Sequence, residues 1–253
     1  SFKAYAINAI GTGYTSVATF TTMAATAPEI AVSETGVGNI ADGGSFSFGS
    51  TTIGTAVTKT FTITNSGSGT LNLSNLAVPS GFSIASNFGS TMVASGGGMT
   101  TFQITMTAGA VGTPSGTLSF DNNDADENPF NFTINGSVTC PTITLTPPSL
   151  PGGTIGASYS QSVTASPAGT YTYAVTSGAL PTGLMLNTSN GTISGTPTAT
   201  GPFNFRITAT LTGSSCTGFN DYSIVVTCPT ITLTPPSLPG GTIGASYSQS
   251  VTA

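Results

Sequence analysis

Histidine and tryptophan are both absent from this 253-residue sequence. Without histidine there is no Ser-His-Asp or Cys-His nucleophile system, and the commonest zinc ligand is missing. Charge is scarce as well: Asp, Glu, Lys and Arg make up 4% of residues, against about 25% in ordinary domains. Lys3, Lys59 and Arg206 are the only basic side chains, so no basic patch exists to neutralise phosphates or anionic headgroups. Nucleic acid is therefore not an expected partner, and a trypsin-like protease has few places to cut. No apolar run approaches the roughly 18 residues of a membrane helix, so no membrane insertion is expected within these residues. No charged-then-apolar leader opens at Ser1, and any export signal is expected outside this stretch. The eight acids are Glu29, Glu34, Asp42, Asp121, Asp124, Asp126, Glu127 and Asp221. Turn residues separate most of them, and none pairs across a cleft as a glycosidase requires. The expectation is a non-enzyme with no catalytic residue and no cofactor.

What the sequence does contain is apolar residues at 38%, with 33 Gly and 16 Pro scattered between short alternating runs. That combination predicts many turns and short strands. Phe203, Phe205, Ile207, Ala209 and Leu211 alternate with Asn204, Arg206, Thr208 and Thr210, the period-2 pattern of a half-buried strand. Tyr171, Tyr173 and Val175 alternate in the same way, as do Tyr222, Ile224 and Val226. Earlier in the chain, Phe61 and Ile63, then Phe102, Ile104 and Met106, then Phe130, Phe132 and Ile134 repeat the pattern. A one-residue slip would turn these side chains to solvent, so each sheet must have one buried face, and two such sheets make a sandwich. Asn190-Gly191 reads as a type I′ hairpin turn. Gly11-Thr12-Gly13 reads as a hairpin turn, not a phosphate loop, because no helix follows. The Asn-x-Ser/Thr strings at Asn72, Asn131, Asn135, Asn187 and Asn190 read as chance in so Thr/Asn-rich a chain.

The segment Cys140–Ala165, CPTITLTPPSLPGGTIGASYSQSVTA, recurs without a mismatch at Cys228–Ala253, an offset of 88 positions. That period suits a whole small domain, whereas a solenoid turn is about 20 to 45 residues. The chain is expected to continue past Ala253, because the second copy holds only the first strands of the repeat. The run Leu180–Gly201, LPTGLMLNTSNGTISGTPTATG, resembles the Putative Ig family of bacterial surface proteins, a resemblance covering Cys140 to Cys228. Pro28–Thr139 is similar to the HYDIN-like Ig family, also called choice-of-anchor D, through SFSFGSTTIGTAVTKTFTITNSGSGTLNL and SFDNNDADENPFNFTINGSV. Residues Ala4–Thr15, followed by ATFTT, resemble the last hairpin of a fibronectin type III-like domain. The resemblances imply an all-β chain of tandem immunoglobulin-like antiparallel β-sandwiches in a beads-on-a-string array. Its order is a fibronectin III-like hairpin (1–27), a HYDIN-like Ig-like domain (28–139), a Putative Ig repeat (140–227) and the start of the next repeat (228–253).

The repeat also assigns the three cysteines. Cys228 is the copy of Cys140, so a full unit owns two, Cys140 before its first strand and Cys216 in the turn between its last two. In an end-to-end sandwich that turn sits at the pole where the chain enters, which predicts a Cys140–Cys216 disulfide. Cys228 falls roughly 30 to 40 Å away, at the far end of the last strand, and is left to a partner in the following repeat. The alternative is three free, buried thiols.

The cluster Asp121, Asp124, Asp126 and Glu127, with Asn122 and Asn123 among them, is rich enough in oxygen to suggest calcium. The competing reading is a solvated turn whose side chains cap their own backbone, since the EF-hand glycine and terminal glutamate are missing. The resembled families occur in large surface adhesins of gliding and biofilm-forming bacteria, some exported by the type IX system. They imply an extracellular, cell-surface structural stalk or filament supporting adhesion or gliding. Its partners would be neighbouring repeats, other copies of itself, and surface glycans. Alternatives are a glycan- or protein-binding module using Tyr5, Tyr14 or Tyr222, and an accessory region of a secreted enzyme. Completion of a partial sandwich by strand addition from a neighbouring chain is a further reading.

Overall fold

The computed structural model describes residues 5–14, 16–17 and 26–253. Lys3 and the run ATFTT at 18–22 lie outside them. Among the described residues there is no helix. Tyr5–Asn8 and Gly11–Tyr14 form an antiparallel two-stranded hairpin, but its turn falls at Ala9-Ile10, and Gly11, Thr12 and Gly13, read as the turn, lie in the second strand. The chain divides into two compact units: the first ends at Ser137, and the second takes residues 138–253 together with the short stretches 52–54 and 109–112.

In the first unit two five-stranded sheets face one another. One runs in the order Gly38–Ile40, Ile30–Glu34, Val57–Asn65, Gly98–Met106, Phe82–Ser86. The other runs Gly44–Thr52, Phe130–Thr139, Ser115–Asn122, Leu71–Ala77, Met92–Val93. The alternating runs put Phe61, Ile63, Phe102, Ile104 and Met106 inward from the first sheet, and Phe130, Phe132 and Ile134 inward from the second. Phenylalanine rings fill the gap between the sheets. Phe61 stacks on its strand neighbour Phe102 at 5.1 Å and meets Phe46 and Phe132 of the opposite sheet at 5.1 and 5.6 Å. Rings supply large apolar area with few torsions to freeze, which suits a sandwich core.

One polar side chain is fully enclosed here. The Asn65 side-chain Oδ1 accepts from the Glu29 and Gly67 amides, while its Nδ2 donates to the Gly69, Val93 and Ala94 carbonyls. Asn65 thus satisfies backbone groups that three loop segments would otherwise bury without partners.

The second unit has a four-stranded sheet in the order Gly153–Thr154, Thr217–Thr227, Gly201–Leu211, Tyr171–Gly178. A three-stranded sheet runs Tyr159–Ser162, Thr192–Gly195, Leu184–Leu186, and Thr144–Thr146 pairs with Thr164–Ser166. Pairing is antiparallel except for Gly153–Thr154, which lies parallel to Val226–Thr227. Ile143, Leu145, Val163, Tyr171, Tyr173, Ile193, Phe205, Ile207, Tyr222 and Ile224 make the core. Tyrosine largely replaces phenylalanine in this unit, and each buried hydroxyl finds a backbone partner. Tyr159, Tyr171 and Tyr222 donate to the carbonyls of Pro151, Pro167 and Pro147, and Tyr173 Oη accepts from the Ala165 amide.

The Asn190-Gly191 turn differs from the type I′ expectation. The connection between Leu184–Leu186 and Thr192–Gly195 spans residues 187–191, and of the two central residues only Gly191 has positive φ, at 73°. Asn190 instead uses its side-chain oxygen to accept from the Thr192 amide. Glycine is required for a second reason: a Cβ at 191 would collide with the Val163 carbonyl oxygen.

Candidate functional site

Three places in the described structure bring chemically capable side chains together. The first is the disulfide. Cys216 immediately precedes the Thr217–Thr227 strand, and its sulfur is bonded to that of Cys140, with the Cα atoms 5.4 Å apart. Cys216 is buried, whereas Cys228, at the other end of that strand, is free and exposed. Such a bond is compatible with an oxidising, extracellular setting. Among the described residues, no helix is long and apolar enough to cross a membrane.

The second is the acidic loop, the weak calcium candidate. Among the described residues, no three His, Cys, Asp or Glu side chains are placed to hold a metal ion. Asp121, Asp124, Asp126 and Glu127 do not form such a group, and the protein itself engages oxygens of Asp121 and Asp124. Asp124 is buried, and its Oδ2 accepts from the Ile30 amide. Asp121 Oδ2 accepts from Asn75 Nδ2, while Asp126 is exposed. The carbonyl oxygens that would have added ligands are also occupied: Asn122 Oδ1 accepts from the Asp124 amide and Asn123 Oδ1 from the Asn72 amide. The loop is not the purely local, solvated turn of the competing reading either. Its bonds to Ile30, Asn72, Asn75 and Thr70 fasten distant strands, and such long-range partners leave no mark at short sequence spacing. Glu127 Oε2 is buried without a hydrogen-bond partner. Desolvation first, and then the charges of Asp124, Glu29, Asp42 and Asp126, hold its carboxyl above the usual carboxylate range.

The third is the outer face of the second unit's four-stranded sheet. Arg206 and Asp221 are directly opposed across Gly201–Leu211 and Thr217–Thr227 and form a two-pronged ion pair at 2.8 and 2.9 Å. The Arg206 hydrogen bonds hold the Asp221 carboxyl below its usual range. The guanidinium lies 3.9 Å over the Phe219 ring, which is 56% exposed. Ser177, Asn204 and Ser223 continue the polar lining of a shallow groove beside the pair. Arg206 and Asp221 stand 15 positions apart in the sequence. Placing the two strands in hairpin register would have shown them as neighbours.

The candidate aromatic platform for a glycan is reduced by one residue. Tyr5 and Tyr14 are each 67% exposed, with rings 6.1 Å apart. Tyr222 is 3% exposed and bonded to Pro147, so it offers no surface. Strand alternation places it on the inner face with Ile224 and Val226.

Comparison with known families agrees with this architecture. Residues 42–137 match the family "HYDIN/CFA65/VesB-like, Ig-like domain", and residues 141–227 match "Putative Ig domain". The chain is an all-β protein built of tandem immunoglobulin-like sandwiches. No curated protein matches it. Among solved structures it resembles the titin domains z1z2 in complex with telethonin at 13% identity, covering 79% of this chain and 98% of that one, TM-score 0.39. It resembles the ASH/PapD-like domain 7 of human CEP192 at 12% identity, covering 50% and 96%, TM-score 0.35. A Bacteroides fragilis protein described as a putative alpha-galactosidase is 18% identical over 34% of this chain and 17% of its own, TM-score 0.29. The chain therefore spans less than a fifth of that protein's length. None of the three reaches a TM-score of 0.5, and no functional statement rests on them.

Proposed function

We propose that this chain is a non-catalytic stalk or filament segment of a large, repetitive, extracellular bacterial surface protein that supports adhesion or gliding. The exact recurrence of Cys140–Ala165 at Cys228–Ala253 carries this reading, since the first copy opens a disulfide-closed Ig-like module. Modules repeated end to end lengthen a chain while each unit keeps its own fold. A low-charge surface with few basic residues suits long exposure to proteases. In this reading the contacts of the array are made by neighbouring repeats and by other copies of the chain.

The test is electron microscopy of intact source cells with an antibody raised against residues 140–227. Label standing away from the outer surface is expected, and loss of adhesion or gliding is expected when the repeats are deleted. Label confined to permeabilised cells would overturn the proposal. A second reading, glycan binding, is favoured by the paired exposed rings of Tyr5 and Tyr14. It requires glycan-array hits that disappear in Tyr5→Ala and Tyr14→Ala chains.

A further inference from the structure

We propose that the Arg206–Ile207 peptide bond is a concealed cleavage site for a Lys/Arg-specific protease, and that the Cys140–Cys216 disulfide is the lock that keeps it closed. Once a dithiol reductant opens the disulfide, the second unit becomes a substrate and is cut there. The inference does not depend on the stalk reading.

Among the described residues, the side chains such a protease recognises are Lys59 and Arg206. Residues 138–253 therefore offer it one bond, and the place of that bond in the sheet decides whether it can be reached. Arg206 is at the midpoint of Gly201–Leu211, an interior strand of the four-stranded sheet. It is paired with Asp221 on one side and with Ser177 on the other. Ile207, across the bond, is fully buried in the core. A protease must draw several residues on each side of the bond into its own cleft. Gly201–Leu211 thus has to leave both neighbouring strands before hydrolysis can begin.

The recognition group is engaged as well. Proteases of the trypsin type read their target through a carboxylate at the base of a pocket. Here Asp221 already makes that contact, two-pronged at 2.8 and 2.9 Å, and the guanidinium lies 3.9 Å over the Phe219 ring.

Cleavage of a folded chain samples its open form, and the rate follows the population of that form when opening and closing are fast. An interior strand of a core sheet opens only when the sandwich comes apart. The disulfide acts on this step. It joins Cys140, ahead of the Thr144–Thr146 strand, to Cys216, the residue before Thr217–Thr227, and Arg206 falls inside the closed loop. Opening the loop raises the population of the open form by about 10²- to 10³-fold on the chain-entropy relation. A reductant has access, because Cys140 is exposed while Cys216 is buried. The first thiolate of the dithiol attacks the Cys140 sulfur and expels the Cys216 thiolate. The second closes the reductant's own disulfide and expels the Cys140 thiolate. The protease then adds one water across the peptide bond, leaving a carboxylate on Arg206 and an amine on Ile207.

Lys59 provides an internal comparison. It lies in Val57–Asn65, an interior strand of the first unit, with its Nζ bonded to Glu34. The three cysteines all follow Ser137, so reduction leaves the opening of that unit unchanged.

The test treats the full chain with dithiothreitol, caps its thiols with iodoacetamide and removes both reagents before trypsin is added; a second sample is capped without reduction. Mass spectrometry follows each bond. Cleavage at Arg206–Ile207 is expected to be at least tenfold faster in the reduced chain, while the rate at Lys59–Thr60 changes less than twofold. Unreduced Cys140→Ser is expected to be cut at Arg206–Ile207 like the reduced chain, and reduced Arg206→Gln is expected to leave residues 138–253 whole. Unreduced Asp221→Asn frees the side chain but not the strand, and is expected to stay uncut. A difference below tenfold between reduced and unreduced chains at Arg206–Ile207 would overturn the proposal. So would an equal acceleration at Lys59–Thr60, or rapid cutting of unreduced Asp221→Asn, which would make the ion pair the lock.

Discussion

The Asp124 carboxylate accepts a 2.9 Å hydrogen bond from the amide of Ile30, tying the loop after Ser115–Asn122 to the strand that opens the first unit. The contact is buried, so removing the acceptor strands an amide away from water. Asp124→Ala should lower the stability of the first unit by about 2 kcal/mol, whereas Asp126→Ala, at an exposed position, should change it by less than about 0.5. Chemical denaturation read by far-ultraviolet circular dichroism checks both. Millimolar calcium should leave the two midpoints unchanged, and a calcium-dependent rise would restore the metal reading.

Reduction of Cys140–Cys216 opens a loop with sequence separation 76. The chain-entropy relation puts its contribution at about 4 kcal/mol. In dithiothreitol the transition of the second unit should therefore move to lower denaturant while that of the first stays in place. Cys216→Ala without reductant should reproduce the shift.

Asn65 serves five backbone groups from inside the first unit. Asn65→Leu keeps the volume and loses every bond, so a cost of about 3 kcal/mol or more is expected from the stranded polar groups. A destabilisation below 1 kcal/mol would mean that water replaces the side chain.

Lys59 Nζ lies 3.2 Å from the buried Glu34 carboxylate, whose other oxygen has no partner. Lys59→Met should cost about 1 to 2 kcal/mol, less than for a fully enclosed pair because Lys59 is partly exposed. Adding Glu34→Leu to that chain should recover stability, since an unpaired buried charge is then removed. Melting temperatures of the two single variants and the double variant decide it.

Glu127 gives a pH signature. Its folded carboxyl is raised above the usual 4.5, so the folded state favours the protonated form. The associated stability is full below about pH 4.5 and is lost as pH rises through the folded value. Glu127→Gln should therefore stabilise the first unit at pH 7 and have little effect at pH 4. An equal gain at both values would point to packing instead of charge.

Much of the sandwich was legible because its strands are long and alternate strictly. Phe61 and Ile63, Phe102 through Met106, and Phe203 through Leu211 announce their inner faces by period alone. Short edge strands such as Met92–Val93 and Gly153–Thr154 carry too few residues for any period to show. The loop chemistry was not legible, because Asp124 with Ile30 and Asn65 with Val93 pair across long sequence distances. At Asn190-Gly191 the local signal located the turn, but the approach of Val163 and the side-chain bond to Thr192 chose its form.

The two copies of one 26-residue segment separate local from tertiary causes. Both hold the Thr146–Thr164 type of bridge, both bond tyrosine hydroxyl to the proline carbonyl eight residues earlier, and both turn at a glycine of positive φ, Gly156 and Gly244. Those features involve partners within the segment, so its own sequence determines them. In the first copy, pairing of Tyr159–Ser162 with Thr192–Gly195, burial of Val163 and the disulfide are made with residues outside the segment. They need the apolar faces and the cysteine supplied by residues 166–227, and no property of the segment can provide those. Only tertiary packing against those residues makes the segment core.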